Sequence, residues 1–269
     1  GMGMGAGSAT AAPATVCTGT LTGSYPAIFV PVGATCTLDG AKVSGNVTVS
    51  EGATLMTKDA TIRLNVKGNE AAKVNIIDTD VWGQIHFRRT TGEIIIGNDG
   101  CKVDPNAGGN INLQNNFGPI AICQMTIKNN IILHNNHHRI GVFDNRVGNN
   151  IQVYGNDSPA IRLRDNVVRG NLALFSNTVK IAFVAKNNTM GGKANCSGNV
   201  IAPTGNGNVA SGGSPASAPV WAEIAMGPWS PQATTDPLLC SRRSAAACLE
   251  AHRIALADRG VHDIAGART

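Results

Sequence analysis

From Gly45 to about Asn199, apolar and polar residues alternate in short bursts, and the bursts recur every 20 to 22 residues. Ile111-Asn112-Leu113, Ile151-Gln152-Val153, Ile161-Arg162-Leu163 and Ile181-Ala182-Phe183 show the period of two that marks a strand. Gly, Asn or Asp separates the bursts, as tight corners require. No segment in this region sustains the i, i+3, i+4 spacing of a helix. Each unit is therefore expected to be two or three short strands joined by corners.

The recurrence keeps a phase. Ile111, Ile131, Ile151, Leu172 and Ala194 form one apolar series, and Ile120, Ile140, Ile161, Ile181 and Ile201 a second. Gln124, Asn145, Asn166 and Asn187 form a polar series, and Asn116, Asn136, Asn156 and Asn177 another. A fixed period of this length means a solenoid. The L-x-x-L-x-L-x-x-N framework of a leucine-rich repeat is absent. The expected fold is all-β: a single-stranded parallel β-helix of about eight or nine coils, stacked ~4.8 Å apart into a rod on the order of 40 Å long. Asn suits the corners because it tolerates left-handed backbone angles and its amide both donates and accepts, so stacked Asn can form ladders. Val47, Leu64 and Ile85 extend the first series toward the N-terminus with irregular spacing. The 26-residue step from Ile85 to Ile111 implies an inserted loop near residues 99–106.

Outside the repeat the chain changes character. Residues 1–15 read as a disordered remnant, 16–44 as an N-terminal cap with the first coil, and 45–202 as the β-helix. Residues 203–219, rich in Gly, Ser, Pro, Ala and Asn, read as a linker. Residues 220–269 form a tail with one helix expected from Ser241 to Arg259, stopped by Gly260. A hydrophobic content of 42% is enough for a full core, and no apolar run is long enough to span a membrane. The net charge of +5 lies on the repeats, because the tail carries as many acidic residues as Arg. This modest excess argues against a nucleic-acid partner.

The cysteines obey the same period. Cys17 and Cys36 are 19 apart, and Cys101 and Cys123 are 22 apart, each about one coil. Stacked residues have Cα atoms roughly 5 Å apart, within disulfide reach. Two such clips imply an oxidising compartment, with buried free thiols as the alternative. Cys240 and Cys248 can pair with each other, which leaves Cys196 over. The stretch Ala9-Thr10-Ala11-Ala12-Pro13-Ala14 has the low complexity of a segment just after a removed signal peptide, so a secreted or cell-surface location is expected.

Three segments carry a wider likeness: Cys17-Thr18-Gly19-Thr20-Leu21, Gly45-Asn46-Val47-Thr48-Val49, and Cys196-Ser197-Gly198-Asn199-Val200-Ile201-Ala202-Pro203-Thr204-Gly205. With the Asn-x-Val-x-Gly-Asn steps they resemble secreted bacterial right-handed parallel β-helix proteins of the pectate-lyase-like fold. The likeness covers roughly residues 16–212 and implies a right-handed solenoid. It implies no activity, since many such proteins have no assigned function.

Candidate chemistry is sparse. Polysaccharide lyases and hydrolases on that fold set carboxylates and basic residues on one outer face. Asp144 and Asp165, 21 apart, are expected to stack at a corner, with Arg162 and Arg164 one strand earlier. A lyase could hold Ca²⁺ on the carboxylates and use Arg as base; otherwise no cofactor is implied. The Asn-Thr-Asp, Asp-Asp and Gly-His-Gly steps of the hydrolase branch are absent. His134, His137 and His138 are a candidate transition-metal set. His137, His138, Arg139, Arg162, Arg164 and Arg169 form a candidate basic strip for an anionic glycan, with Tyr154, Phe175 and Trp82 as possible sugar platforms. The outward positions carry no repeated Thr array, which disfavours ice binding. The favoured expectation is a secreted, non-catalytic module that binds an extracellular or cell-wall polysaccharide or serves as an adhesive surface. A carbohydrate-active enzyme is the rival. End-to-end or face-to-face self-association is the third option.

Overall fold

The structure is a computed structural model that describes residues 12–98 and 104–212. These residues are all-β and form a parallel solenoid of about nine turns, with sheets of ten, nine and ten strands. A typical coil supplies Ile111–Gln114 to the first sheet, Ile120–Cys123 to the second and Thr126–Ile127 to the third. Residues 16–44 already contribute strands to all three sheets, and the last strand of the third sheet is Val209–Ala210. The loop at 99–103, Cys101 and the tail helix expected over 241–259 lie outside the described residues.

Aliphatic columns fill the interior. Ile111, Ile131, Ile151, Leu172 and Ala194 are successive partners in the first sheet, and all are buried. Fully burying one such side chain stabilises by about 1.5–3 kcal/mol. A strand of two residues has no stability of its own, so the columns hold the coils and the coils hold the strands. The Cys17–Cys36 disulfide clips the first two coils from inside, with Cα atoms 5.3 Å apart and both cysteines buried.

Two register expectations are corrected. The partner of Ile161 is Phe183, because an irregularity between Ser158 and Ala160 absorbs one extra residue in the next strand. Ile181 is thereby turned out of the core and is 72% exposed. In the N-terminal coils the column runs Val47, Val66, Ile85, with Leu64 left 48% exposed at the corner before it. The steps there are an even 19 residues, not irregular.

The Asn-Asn steps resolve into two adjacent roles. The first residue of each step turns the corner with a left-handed backbone: Asn115 (φ 55°), Asn135 (φ 52°) and Ser176 (φ 55°) after the first sheet. Asp144 (φ 53°), Asp165 (φ 58°) and Asn187 (φ 55°) do so after the second. The next residue in each step points inward. Asn116, Asn136, Asn156 and Asn177 stack as buried amides that end on Asn199, each Nδ2 donating to the next Oδ1 at 2.9–3.0 Å. Asn145, Asn166, Asn188 and Asn208 form a second ladder in the same sense. The series that joined Gln124 to Asn145 therefore mixed two columns: Gln124 stacks on Asp144, and Asn187 on Asp165.

Each ladder amide also ties down backbone. Asn136 Nδ2 donates to Leu113 O at 3.0 Å, and its Oδ1 accepts from both N and Nδ2 of Asn116. At the third corner the sense reverses. Asn130, Asn150 and Asn171 each donate back to the Oδ1 of the coil before. In the N-terminal coils the inward corner positions are filled by Ala53, Ala71, Ala41 and Ala60, which need no partner. Thr57 and Thr79 satisfy each other through a buried hydroxyl pair at 2.8 Å.

Asn136→Ala leaves Leu113 O, the Asn116 amide and the Asn156 amide short of a partner in a site closed to water. The expected cost is roughly 3 kcal/mol in chemical denaturation. Asn130→Ala, in the partly exposed third ladder, should cost about 1 kcal/mol because water can replace its bonds. Equal losses in the two variants would show that burial of the ladder is not what makes it matter.

Candidate functional site

In the third sheet the second residue of each strand points inward and its neighbours point out. Inward are Val81, Ala107, Ile127, Val147 and Val168, all buried. Outward before them stand Asp80, Asn106, Thr126, Arg146 and Val167 as successive partners. Outward after them stand Trp82, Gly108, Lys128, Gly148 and Arg169, tied coil to coil through backbone bonds. Long side chains thus alternate with glycine along the second outer column.

The glycines are forced. A Cβ on Gly108 would lie 1.9 Å from Trp82 O, and one on Gly148 would lie 2.1 Å from Lys128 O. Their lack of side chains opens a groove of about 500 Å³, lined by Asn106, Thr126, Lys128, Arg146, Val167 and Arg169 among others. Lys128, Arg146 and Arg169 come from three consecutive coils, so the groove carries one cation per coil.

Carboxylates stand at one edge. Asp104 lies 3.7 Å from Arg146. Burial pushes the Asp104 carboxyl above its ordinary range, and the negative charge of Asp144 adds to this while Arg146 opposes it. Asp144 is also raised, first by burial and further by Asp165, while a hydrogen bond from Gln124 and the charge of Arg146 act against the shift. Asn187 Nδ2 donates to Asp165 at 3.0 Å. The corner between the second and third sheets thus gathers Asp104, Asp144, Asp165 and Arg146.

The sequence candidates fall into separate places. Asp144 and Asp165 stack at that corner, as expected from their spacing. Arg162 and Arg164 project from the outer face of the second sheet, where their partners in the preceding coil are Gly141 and Phe143. The column through Arg164 runs Cys123, Phe143, Arg164, Lys186, so Asp144 and Asp165 belong to the neighbouring column. Arg139 and Arg162 flank a hollow of about 10 Å³ beside Gly141 and Phe143, room for a single water at most. Arg169 stands apart from both, in the third-sheet groove.

The three histidines do not converge. His134 stacks on Tyr154 at 4.3 Å, His137 stacks on Phe117 at 5.1 Å, and His138 Nδ1 accepts from the backbone N–H of Arg139 at 2.8 Å. Among the described residues no three His, Cys, Asp or Glu side chains are placed to hold a metal ion. Tyr154 and Phe175 stack on each other at 4.9 Å, so their faces are largely covered. Cys36 pairs with Cys17 as expected. Cys123 is disulfide-bonded, and its pairing falls outside the described residues. Cys196 is free, half-buried, and its thiol is pushed up to about 11 by burial.

A second, mixed-charge hollow of about 640 Å³ lies on the first sheet beside Lys67, His86, Arg88 and Glu51. Burial and Arg88 hold the His86 imidazole below its ordinary value. Sequence reasoning missed Lys128, Arg146 and Asp104. The signal was present in Gly108, Lys128, Gly148, Arg169 and Gly191, which recur at steps of 20, 20, 21 and 22 residues. No protein family, curated protein or solved structure matches this chain.

Asp144→Asn removes the negative charge that faces Asp104, so Asp104 should titrate at lower pH when followed by carboxyl carbon NMR. Its raised value stabilises the fold in acid and that contribution is lost as pH rises from the ordinary to the raised value. Asp144→Asn should therefore flatten the fall in melting temperature across that window. An unchanged Asp104 titration would mean that the two carboxyls do not interact.

Proposed function

We propose that this chain is a secreted, non-catalytic β-helix that binds an acidic polysaccharide in the third-sheet groove, and that it shares the right-handed pectate-lyase-like architecture. The observation that carries the reading is the run of Lys128, Arg146 and Arg169, one per coil, along a groove floored by glycine. Flat solenoid faces suit extended ligands, and guanidinium and ammonium groups hold carboxylate or sulfate through charge-assisted bonds. The buried Cys17–Cys36 disulfide fits an oxidising, extracellular setting.

A second reading, a polysaccharide lyase, draws on the raised Asp104 and Asp144 beside Arg146 at the groove edge. A carboxyl tuned toward neutrality next to a cation is the kind of group that moves protons. Under that reading an acidic polymer would yield an unsaturated, ultraviolet-absorbing product, while the Ca²⁺ expected of a lyase finds no group of three His, Cys, Asp or Glu placed to hold it among the described residues.

The groove is tested by isothermal titration with hyaluronan and polygalacturonate, and with neutral dextran as control. Lys128→Ala/Arg169→Ala should weaken acidic-polymer binding by about tenfold or more, since each charged hydrogen bond contributes roughly 1.5 kcal/mol or above. The remaining binding should depend less on salt. Dextran should not bind. Undiminished affinity in the double variant would move the site elsewhere, and steady growth of absorbance during the titration would favour the lyase.

A further inference from the structure

The hollow on the first sheet is lined by residues of three consecutive coils. Two outward columns form its floor. Thr48, Lys67 and His86 are successive partners in one. Asn69 and Arg88 are partners in the other, with Ser50 in the coil before. Partners stand ~4.8 Å apart, and alternate residues of one strand about 6.6 Å apart. Lys67, His86 and Arg88 therefore surround a patch roughly 8 Å across. Further along the rod the same columns carry Asn112 and Gln114, then Ile132 and His134, so the cluster is confined to these coils.

The charge here is only partly met. Among the described residues neither Lys67 nor Arg88 has an ion-pair partner. Glu70 accepts a hydrogen bond from Arg89 Nε at 2.7 Å. The lining sets Lys67, Arg88 and Arg89 against Glu51 and Glu70, which leaves one net positive charge with His86 neutral and two with it protonated. Lys67 faces His86 from the preceding strand and Arg88 from its own, while Asn112 and Gln114 on the following strand carry no charge. Burial first, and then Arg88, hold the imidazole below its ordinary value. The Arg88 share of that shift marks a place short of negative charge.

We propose that this hollow binds the sulfate or phosphate group of a sugar or polyol monoester, held between Lys67, His86 and Arg88. Three separate donors suit the three free oxygens of a tetrahedral monoester. A carboxylate has two oxygens, which a single guanidinium fork satisfies. The hydroxyls of Thr48 and Ser50 and the amide of Asn69 are further donors, and Glu51 is an acceptor for hydroxyls of the attached ligand. A hollow of about 640 Å³ has room for the ester group and the ring that carries it. The site lies on a different sheet from the third-sheet groove and does not depend on that reading. A bound oxyanion favours the imidazolium, so binding takes up a proton and tightens as pH falls through the range in which His86 titrates.

The probes are glucose 6-sulfate, glucose 6-phosphate and glucuronate, titrated by calorimetry at fixed ionic strength. Lys67→Ala/Arg88→Ala should weaken both esters by about tenfold or more, while Lys128→Ala/Arg169→Ala should move them less than about twofold. Lys67 and Arg88 are exposed, so matched melting temperatures will show that the variant is folded. The sulfate ester keeps its charge throughout, and its affinity should rise by about threefold or more from about pH 8 to about pH 5.5. His86→Gln should remove that rise. The phosphate ester gains a proton near pH ~6, which opposes the gain. Whichever ester binds more tightly near neutral pH supports the site and names its source. Failure of both esters to bind, or affinity unchanged in Lys67→Ala/Arg88→Ala, overturns the site. Glucuronate bound as tightly as the esters overturns the tetrahedral preference, and a rise with acid that survives in His86→Gln overturns the part given to His86.

Discussion

A polar group sealed from water must find a partner inside the protein, and this chain meets that demand at its corners. Strands mostly of two to five residues leave many backbone groups at the bends, where no sheet reaches them. The inward Asn of each corner repairs this. Its Nδ2 caps a carbonyl from the preceding coil, and its Oδ1 takes the N–H and Nδ2 of its neighbour. Register is fixed as a result, because an amide moved by one position would leave all three partner groups unsatisfied. The columns of Ile, Leu and Val then supply most of the stabilisation, but they fit only because the corners fix where each coil begins.

This division of labour decides what could be read in the sequence. The first apolar series and the Asn116 series were legible residue by residue, since both face inward and cannot drift. The Gln124 series failed by one position because coils of 20, 21 and 22 residues succeed one another, and a constant step of 21 slides from one column to the next. Ile181 failed because apolar alternation looks the same on either side of a register shift, and only packing shows that Phe183 takes the inner place. Leu64 failed because Val66, two residues on, alternates equally well. The groove was the least legible part. Its cations sit beside two-residue strands, too short for any periodicity to stand out, and the glycines that open it read as ordinary turn residues until a backbone carbonyl is found 1.9 Å from the missing Cβ.

The outer faces carry the differences between coils, and they are not equivalent. The first sheet spends its aromatic rings on one another, through His134, Tyr154 and Phe175. The second covers itself with Phe143 laid against Gly141. The third alternates long side chains with glycine and so keeps open space between charges. Recognition chemistry needs room beside its charged groups, and the groove on the third sheet provides it.

The ladders also give the rod a direction. At two corners every amide donates toward the C-terminal coils, and at the third every amide donates toward the N-terminal coils. Two of the three ladders stop short of the N-terminal coils, whose inward corner positions are alanine. The first coils therefore lack two of the ties that set where each later coil begins, and the Cys17–Cys36 disulfide supplies a covalent one there. The rod is thus fastened by different chemistry along its length, covalent at its start and amide to amide beyond.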